Sequence, residues 1–204
     1  MKYIFMAGAP GSKWSSVSKN IYFSPSIDRS DASPEREYWH DAPGTMQLMH
    51  MGAYFDPGME FGELILRMPM YSKEQHEAEF DRPFSGEGVR IIKSHVFTYH
   101  LDYIKATWPD CPIVLVHRDD DACLGWWVKC GHFNITYPKY DQYYIDLKRM
   151  GKIIAEQNAG ILKAWGDKYV LGNNRVLTQT LRLAQPPEEY FQDYKQADVR
   201  VTVI

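Results

Sequence analysis

The chain has 204 residues, which is enough for one well-buried domain and too few for two of ordinary size. Hydrophobic residues make up 45% and charged residues 24%, values close to those of ordinary globular proteins, so a disordered or fibrous protein is excluded. The formal net charge of −3, from 23 basic and 26 acidic residues, argues against a surface that binds nucleic acid.

The predicted elements alternate between strands and helices along the chain. Apolar runs bounded by turn residues predict strands at 3–7, 88–93, 112–117 and 198–204. Helices are predicted at 15–20, 59–68, 72–80, 99–108, 120–130 and 141–165, and a further helix is predicted to start at 186–189. The stretch 23–57 is rich in Pro, Asp, Ser and Gly, and we expect it to be mostly irregular and to carry a binding loop.

This alternation predicts the fold class. Strands separated by helices are typical of right-handed βαβ units, whose strands lie parallel in one sheet. No internal repeat or linker divides residues 1–204. We therefore expect a single α/β domain with a central parallel β-sheet flanked by helices, and a P-loop-like strand–loop–helix at the N-terminus.

Cysteine content and hydropathy indicate the cellular environment. The three cysteines, Cys111, Cys123 and Cys130, are odd in number and form no CxxC pair, so a disulfide framework or a zinc site is not expected. No apolar run approaches the roughly 20 residues that span a bilayer. The sequence thus favours a cytoplasmic protein that binds neither membrane nor nucleic acid, and it leaves the oligomeric state open.

The first candidate site is the segment from Gly8 to Ser16, which follows the first predicted strand. A Gly-rich turn between strand and helix directs backbone N–H groups and the positive end of the helix dipole at one point, which favours a bound phosphate or sulfate. Lys13 would add a full charge. Hydroxyl donors would come from Ser12, Ser15 and Ser16. The alternative is an ordinary tight turn, and the Walker pattern fails because Lys13 stands where its second glycine belongs.

The second candidate site is Lys93-Ser94-His95, at the end of the next predicted strand. Residues two apart in an extended chain point to the same side, so Lys93 and His95 would face one pocket. A lysine that stabilises charge beside a histidine that accepts a proton is suited to group transfer. A hydrogen-bonded histidine with only a structural role is the alternative.

The third candidate site follows the strand at 112–117, where the guanidinium of Arg118 could bind a phosphate with two hydrogen bonds. The next three residues, Asp119, Asp120 and Asp121, could suggest a magnesium site. An N-cap followed by acidic residues in a first helical turn explains them without a metal, and we prefer that explanation.

Taken together, these segments resemble the sulfotransferases that use 3′-phosphoadenosine 5′-phosphosulfate (PAPS). Lys93-Ser94-His95 is similar to the family's strand ending in Lys-Thr-His, and Arg118-Asp119 is similar to its later Arg-Asn-Pro or Arg-Asp-Pro. The segment Gly8 to Ser16 resembles its 5′-phosphosulfate loop. The three segments come in the family's order, and the resemblance covers roughly residues 2–127.

The resemblance implies roles for individual residues. His95 would be the base that deprotonates the acceptor, and Lys93 and Lys13 would neutralise charge on the transferring sulfuryl group and the leaving oxygen. The donor PAPS, released as 3′-phosphoadenosine 5′-phosphate (PAP), would be bound without a metal. The residues that would bind it are Gly11, Ser12, Lys13, Trp14, Ser15, Ser16 and Arg118.

Several departures from the family pattern leave alternatives open. Gly11 stands where the family has a basic residue, Trp126 stands where a serine joins the 3′-phosphate site, and no Arg-Lys-Gly segment follows. Some branches of the family use a carboxylate as the base, and the competing candidates here are Asp28, Asp31 and Glu35.

Two other functions fit the same segments. One is a P-loop-type kinase that uses ATP and Mg²⁺, with Lys13 on the phosphates and Asp119 or Asp121 on the metal. The other is a nucleotide-binding module without catalysis. The short irregular stretch at 23–57 favours a small-molecule acceptor over a polysaccharide.

Overall fold

A computed structural model describes residues 1–40, 47–129 and 146–204 of the chain. The strands are β1 (Tyr3–Gly8), β2 (Glu37–His40), β3 (Gln47–Met51), β4 (Arg90–Lys93), β5 (Ile113–His117) and β6 (Arg200–Val203). The helices are α1 (Trp14–Tyr22), α2 (Lys73–Asp81), α3 (Leu101–Thr107), α4 (Asp120–Lys129), α5 (Leu147–Trp165) and α6 (Asn174–Thr180). Short 3₁₀ segments lie at Pro34–Arg36, Ile65–Met70, Val96–Tyr99 and Glu188–Tyr190.

The central sheet has the strand order β4-β1-β5-β6. Strand β1 pairs in parallel with both β4 and β5, as the alternating pattern predicts. Strand β6 pairs with β5 in the antiparallel direction, so the prediction of a wholly parallel sheet is wrong at this edge. The apolar pattern of the last strand does not show whether the strand is parallel or antiparallel. That direction depends on the path of the chain before the strand.

Alternate residues of the strands point to two hydrophobic cores, one on each face of the sheet. Ile4 and Met6 of β1 pack with α1 on one face, while Tyr3 and Phe5 pack with Phe80 of α2 on the other. The strands are buried on both faces, which explains why they appear in the sequence as continuous apolar runs. The chain is therefore a single α/β fold with a mixed four-stranded sheet flanked by helices.

Most predicted helices are present with small changes in their ends. The helix predicted at 72–80 begins after Ser72, whose hydroxyl accepts a hydrogen bond from the N–H of Gln75 and closes a capping box. In α5 the side chains of Met150, Ile154, Ile161 and Trp165 are buried. The predicted residues 141–145 of this helix and Cys130 lie outside the described residues.

Three predictions of local structure differ from the fold. The helix predicted at 59–68 is absent: only the 3₁₀ segment Ile65–Met70 forms there, after Gly62, whose positive φ of +118° interrupts a helix. The helix predicted to start at 186–189 is the single 3₁₀ turn Glu188–Tyr190. The sequence pattern did not indicate α6, which the side chain of Asn173 caps by accepting from the N–H of Val176.

None of the helices in the described residues is long and apolar enough to cross a membrane.

Candidate functional site

The carboxyl ends of three parallel strands meet at one edge of the sheet. Gly8 ends β1, Lys93 ends β4 and His117 ends β5, and β1 lies between the other two. Ligands of open α/β sheets bind at this edge, because the loops after neighbouring strands diverge there. All three candidate segments therefore begin at the same edge of the fold.

Residues 9–13 connect β1 to α1 and form a tight turn. The N–H of Ser12 donates to the carbonyl of Ala9 at 3.0 Å, and Gly11 and Lys13 both adopt positive φ, +78° and +61°. Gly11 lies so close to α4 that a Cβ atom there would be 2.1 Å from the carbonyl oxygen of Cys123. Glycine is required at this position for both its conformation and its size.

Ser12 has the most unusual side chain of this connection. It is completely buried, and its Oγ makes no hydrogen bond within the described part of the chain. Its hydroxyl lies next to Gly8, since a Cβ atom built on Gly8 would be 2.7 Å from the Oγ of Ser12. A buried hydroxyl without a partner costs about 1–3 kcal/mol. A bound anion that accepted a hydrogen bond from the Ser12 hydroxyl would remove that cost.

The two other serines differ from Ser12. Ser15 is buried in the first turn of α1, and Ser16 accepts a hydrogen bond from Nε2 of Gln192 at 3.0 Å. The hydroxyl of Ser16 is thus in contact with the C-terminal part of the chain. The predicted serine donors lie around one helix start, and Ser16 already has a protein partner there.

His95 lies against the same turn. It is 4% exposed, and its Nδ1 donates a hydrogen bond to the carbonyl of Gly8. Because a carbonyl oxygen can only accept, the proton of the neutral ring is on Nδ1 and Nε2 is the proton acceptor. Burial lowers the pKa of His95, which favours the neutral ring. The rings of Trp14 and Tyr54 lie at centroid distances of 4.8 and 5.8 Å from the imidazole.

Asp56 is a site residue that the sequence pattern did not indicate. It is 2% exposed, and its Oδ1 accepts hydrogen bonds from the Ser94 hydroxyl at 2.5 Å and from the His95 N–H at 3.0 Å. Burial raises the pKa of Asp56. In the sequence it belongs to an Asp-Pro-Gly turn, and no local signal connects that turn to β4.

Lys93 is directed toward a different set of groups from those around His95. Its Nζ donates to the carbonyl of Met51 at 2.7 Å and lies 5.8 Å from the ring centroid of Tyr22. Burial lowers the pKa of Lys93 to about 8, while the nearby carboxylate of Asp31 opposes that shift. This shift keeps the amine mostly protonated at pH 7.

The three carboxylates that compete as the base have different surroundings. Asp31 is 1% exposed and accepts from the Tyr22 hydroxyl at 2.7 Å and the Ala53 N–H at 2.6 Å. Asp28 accepts from Ser30 and forms an ion pair with Arg90 near the start of β4. Glu35 is exposed in the 3₁₀ segment Pro34–Arg36. Of the three, Asp31 is the carboxylate that lies near Lys93.

Arg118 contacts the turn after β1 directly. Its Nη1 donates to the carbonyls of Gly11 at 3.3 Å and Ala122 at 2.9 Å, and its Nε pairs with Asp198 at 3.3 Å. Nζ of Lys13 donates to the carbonyl of Ala197 at 2.9 Å. The C-terminal segment that precedes β6 therefore contacts both predicted cations.

Positive charge gathers around Trp126 on α4. Nζ of Lys13, the guanidinium of Arg118 and Nζ of Lys129 lie 5.1, 5.9 and 5.8 Å from its ring. The sequence indicated Lys13 and Arg118 but not Lys129, since an exposed lysine at the end of a helix has no distinctive pattern. The cations thus gather at Trp126, while His95 contacts the carbonyl of Gly8.

The aspartates after β5 lie at the start of a helix. Asp120 and Asp121 occupy the first turn of α4, and Oδ1 of Asp120 accepts from Nδ2 of Asn158 at 2.6 Å. Two of the three aspartates thus lie in a first helical turn, as the capping explanation expects. Across residues 1–40, 47–129 and 146–204, no three His, Cys, Asp or Glu side chains are grouped so that they could hold a metal ion.

Comparison with known proteins adds no relative. The chain has no significant match to a protein-family model, a curated protein or a solved structure. The resemblance to the PAPS-dependent sulfotransferases thus rests on the three short segments and stays a prediction.

Proposed function

We propose that the chain transfers a sulfuryl group from PAPS to a hydroxyl or amine of a small acceptor and releases PAP. The observation that carries this proposal is the hydrogen bond from the His95 ring to the carbonyl of Gly8. It holds a proton acceptor against a glycine-containing strand-to-helix turn, the kind of element that binds phosphate and sulfate. The buried, unpartnered hydroxyl of Ser12 supports the proposal because it lies next to the same glycine.

In the proposed reaction the acceptor oxygen or nitrogen forms a bond to sulfur while the bond from sulfur to the oxygen of PAP breaks. The proton of the acceptor passes to Nε2 of His95. The turn at 9–13 acts as the P-loop-like element and, with Ser12 and Ser15, would hold the 5′-phosphosulfate. Lys13 would neutralise charge that develops on the sulfuryl group and the leaving oxygen. Lys93, whose buried Nζ donates to the carbonyl of Met51, would act on that charge only from a distance.

The cations around Trp126 would hold the nucleotide end of the donor. Arg118 would bind the 3′-phosphate, as the resemblance implies, and the ring of Trp126 offers a surface on which adenine can stack. Arg118 contacts the carbonyl of Gly11 and the exposed carboxylate of Asp198, and Lys13 contacts the carbonyl of Ala197; a phosphate could replace these acceptors.

Calorimetry with PAP and ATP tests the proposal. We expect PAP to bind equally well with EDTA and with Mg²⁺, and we expect radiolabelled sulfuryl transfer from PAPS to occur for at least one member of a panel of phenols, alcohols and amines. Binding of ATP that requires Mg²⁺ would instead indicate the kinase. Binding of PAP with no transfer to any acceptor would indicate a nucleotide-binding module.

Ser12→Ala tests the role of the turn. Loss of a hydrogen bond to a charged group is worth about 1.5–3 kcal/mol, so the dissociation constant for PAP should rise by about 10- to 150-fold. Ser24→Ala is the matched control, because Ser24 is also fully buried but donates to the carbonyl of Ala184. Equal PAP affinity of Ser12→Ala and Ser24→Ala would contradict the proposed anion site.

A further inference from the structure

The carboxylate of Asp56 closes the turn that carries His95. One oxygen, Oδ1, accepts from the Ser94 hydroxyl and from the His95 N–H, and Oγ of Ser94 in turn accepts from the N–H of Val96 at 3.1 Å. These bonds determine the backbone conformation of residues 94–96. The backbone of His95 is thereby fixed by Asp56, and the direction in which its ring leaves the chain depends on that backbone.

The segment that carries Asp56 is itself attached to β4. The N–H of Phe55 donates to the carbonyl of Lys93 at 2.8 Å, and the side chain of Phe55 is completely buried. The ring of His95 is held at its other end by the carbonyl of Gly8. The histidine therefore has two anchors, one on its backbone and one on Nδ1, and Nε2 is left as the atom that exchanges a proton.

In the described part of the chain, the carbonyl of Gly8 and the rings of Trp14 and Tyr54 lie against the imidazole, and the carboxylate of Asp56 is near enough for its charge to act on the ring. Lys93, on the same strand, is directed to the carbonyl of Met51 and lies near Asp31. Burial lowers the pKa of His95, and the negative charge of Asp56 opposes that shift.

We propose that Asp56 is a positioning residue for the base: it orients His95 through its backbone, and its charge stabilises the imidazolium that forms when Nε2 takes the proton of the acceptor. The inference rests on the proposed function, since it concerns the base of that reaction. The proton on Nδ1 stays in the bond to Gly8, and Asp56 itself exchanges no proton. A carboxylate that orients a catalytic histidine and balances its charge is a general solution in enzymes, although it more often contacts the ring than the backbone.

Asp56→Asn is the central test, because asparagine removes the charge while its amide oxygen can still accept from the Ser94 hydroxyl and the His95 N–H; the Tyr54 hydroxyl is a further donor to this carboxylate. The titration of His95 is followed by NMR of the imidazole C–H signals, assigned with His95→Gln. We expect the titration midpoint of His95 to fall by about one pH unit, because a nearby opposite charge shifts a pKa by about 1–3 units. In sulfuryl transfer the acid limb of the pH–rate profile should move to lower pH, and kcat should fall up to about tenfold with KM for PAPS unchanged.

Glu79→Gln is the matched control. Glu79 is a carboxylate on α2 that is 9% exposed and accepts from the N–H groups of Gly62 at 2.7 Å and Glu63 at 3.2 Å. Its loss of charge should leave the His95 midpoint in place. An unchanged midpoint in Asp56→Asn, or an equal shift in both variants, would overturn the inference.

Ser94→Ala separates orientation from charge. It removes one donor to Asp56 and leaves the carboxylate, so kcat should fall while the His95 midpoint stays within a few tenths of a unit. A wild-type kcat in Ser94→Ala would overturn the orienting role. This test remains valid if Asp56→Asn does not fold. The NMR shift needs no turnover: if it occurs in Asp56→Asn but no acceptor is sulfated, the positioning is right and the proposed function is wrong.

Discussion

Gly11→Ala should destabilise the protein by placing an atom where α4 leaves no room. The Cβ atom of the alanine would be 2.1 Å from the carbonyl oxygen and 2.8 Å from the carbonyl carbon of Cys123. Both neighbours are backbone atoms, so no side-chain rotation relieves the contact. The φ of +78° at Gly11 adds a second cost, because L-residues rarely adopt that conformation.

The size of the effect follows from these two terms. The left-handed backbone costs an alanine roughly 1–2 kcal/mol, and forced overpacking costs about 1–3 kcal/mol. The free energy of unfolding should therefore fall by about 2–5 kcal/mol. For a chain of this size each kcal/mol corresponds to about 2–4 °C in Tm, so Tm should fall by roughly 4–20 °C.

Urea and thermal unfolding measure the change, and Gly125→Ala provides the control. Gly125 lies in α4, the helix that Gly11 contacts, but a Cβ atom on Gly125 would have no heavy atom within 4 Å. That variant should gain about 0.5–1 kcal/mol from the better helix propensity of alanine. If Gly11→Ala were as stable as the wild type while Gly125→Ala gained stability, the turn at 9–13 would not pack against α4 as described.

Two further predictions concern His95 and Lys93. Sulfuryl transfer by His95→Ala should have a kcat about 10²–10⁴-fold lower, since that is the usual contribution of a general base; near-normal activity would assign the base to a carboxylate such as Asp31. The folded-state pKa of Lys93, about 8, lies below its ordinary value of 10.5, so between these pH values the unfolded chain holds a proton that the folded chain has released. The wild type should therefore gain about 3 kcal/mol of unfolding free energy relative to Lys93→Met as the pH rises from 8 to 10.5, and a flat difference in urea titrations would show that the amine is not buried.

The elements that were predicted well have strong local signals. The strands around Phe5, Ile92 and Leu115 are continuous apolar runs between turn residues, and such runs identify strands that are buried on both faces. The helix predicted at 59–68 failed because Gly62 needs a positive φ, and a single glycine inside an apolar stretch does not reveal this. The segment before α6 gave no signal beyond Asn173, which is as typical of a turn as of a helix cap.

The candidate site was predictable only where its residues follow strands. Gly8, Lys93 and Arg118 could be connected because the ends of parallel neighbours meet at one edge of a sheet. The bond from Asp56 to the N–H of His95 joins residues 39 apart in the chain, and no spacing rule predicts it. The position of the C-terminal segment against Lys13 and Arg118 is likewise a property of the fold.

By itself the sequence determined the strands of the sheet's centre, the turn after β1 and the residue types available there, because these depend on neighbours within a few positions. Only the tertiary structure decided that β6 is antiparallel, that Lys93 is buried near Asp31 and that Asp56 holds His95. These outcomes depend on packing between distant segments, and burial then alters the charge state of each group it encloses. Local pattern thus located the edge at which chemistry is expected, and the fold decided which side chains face each other there.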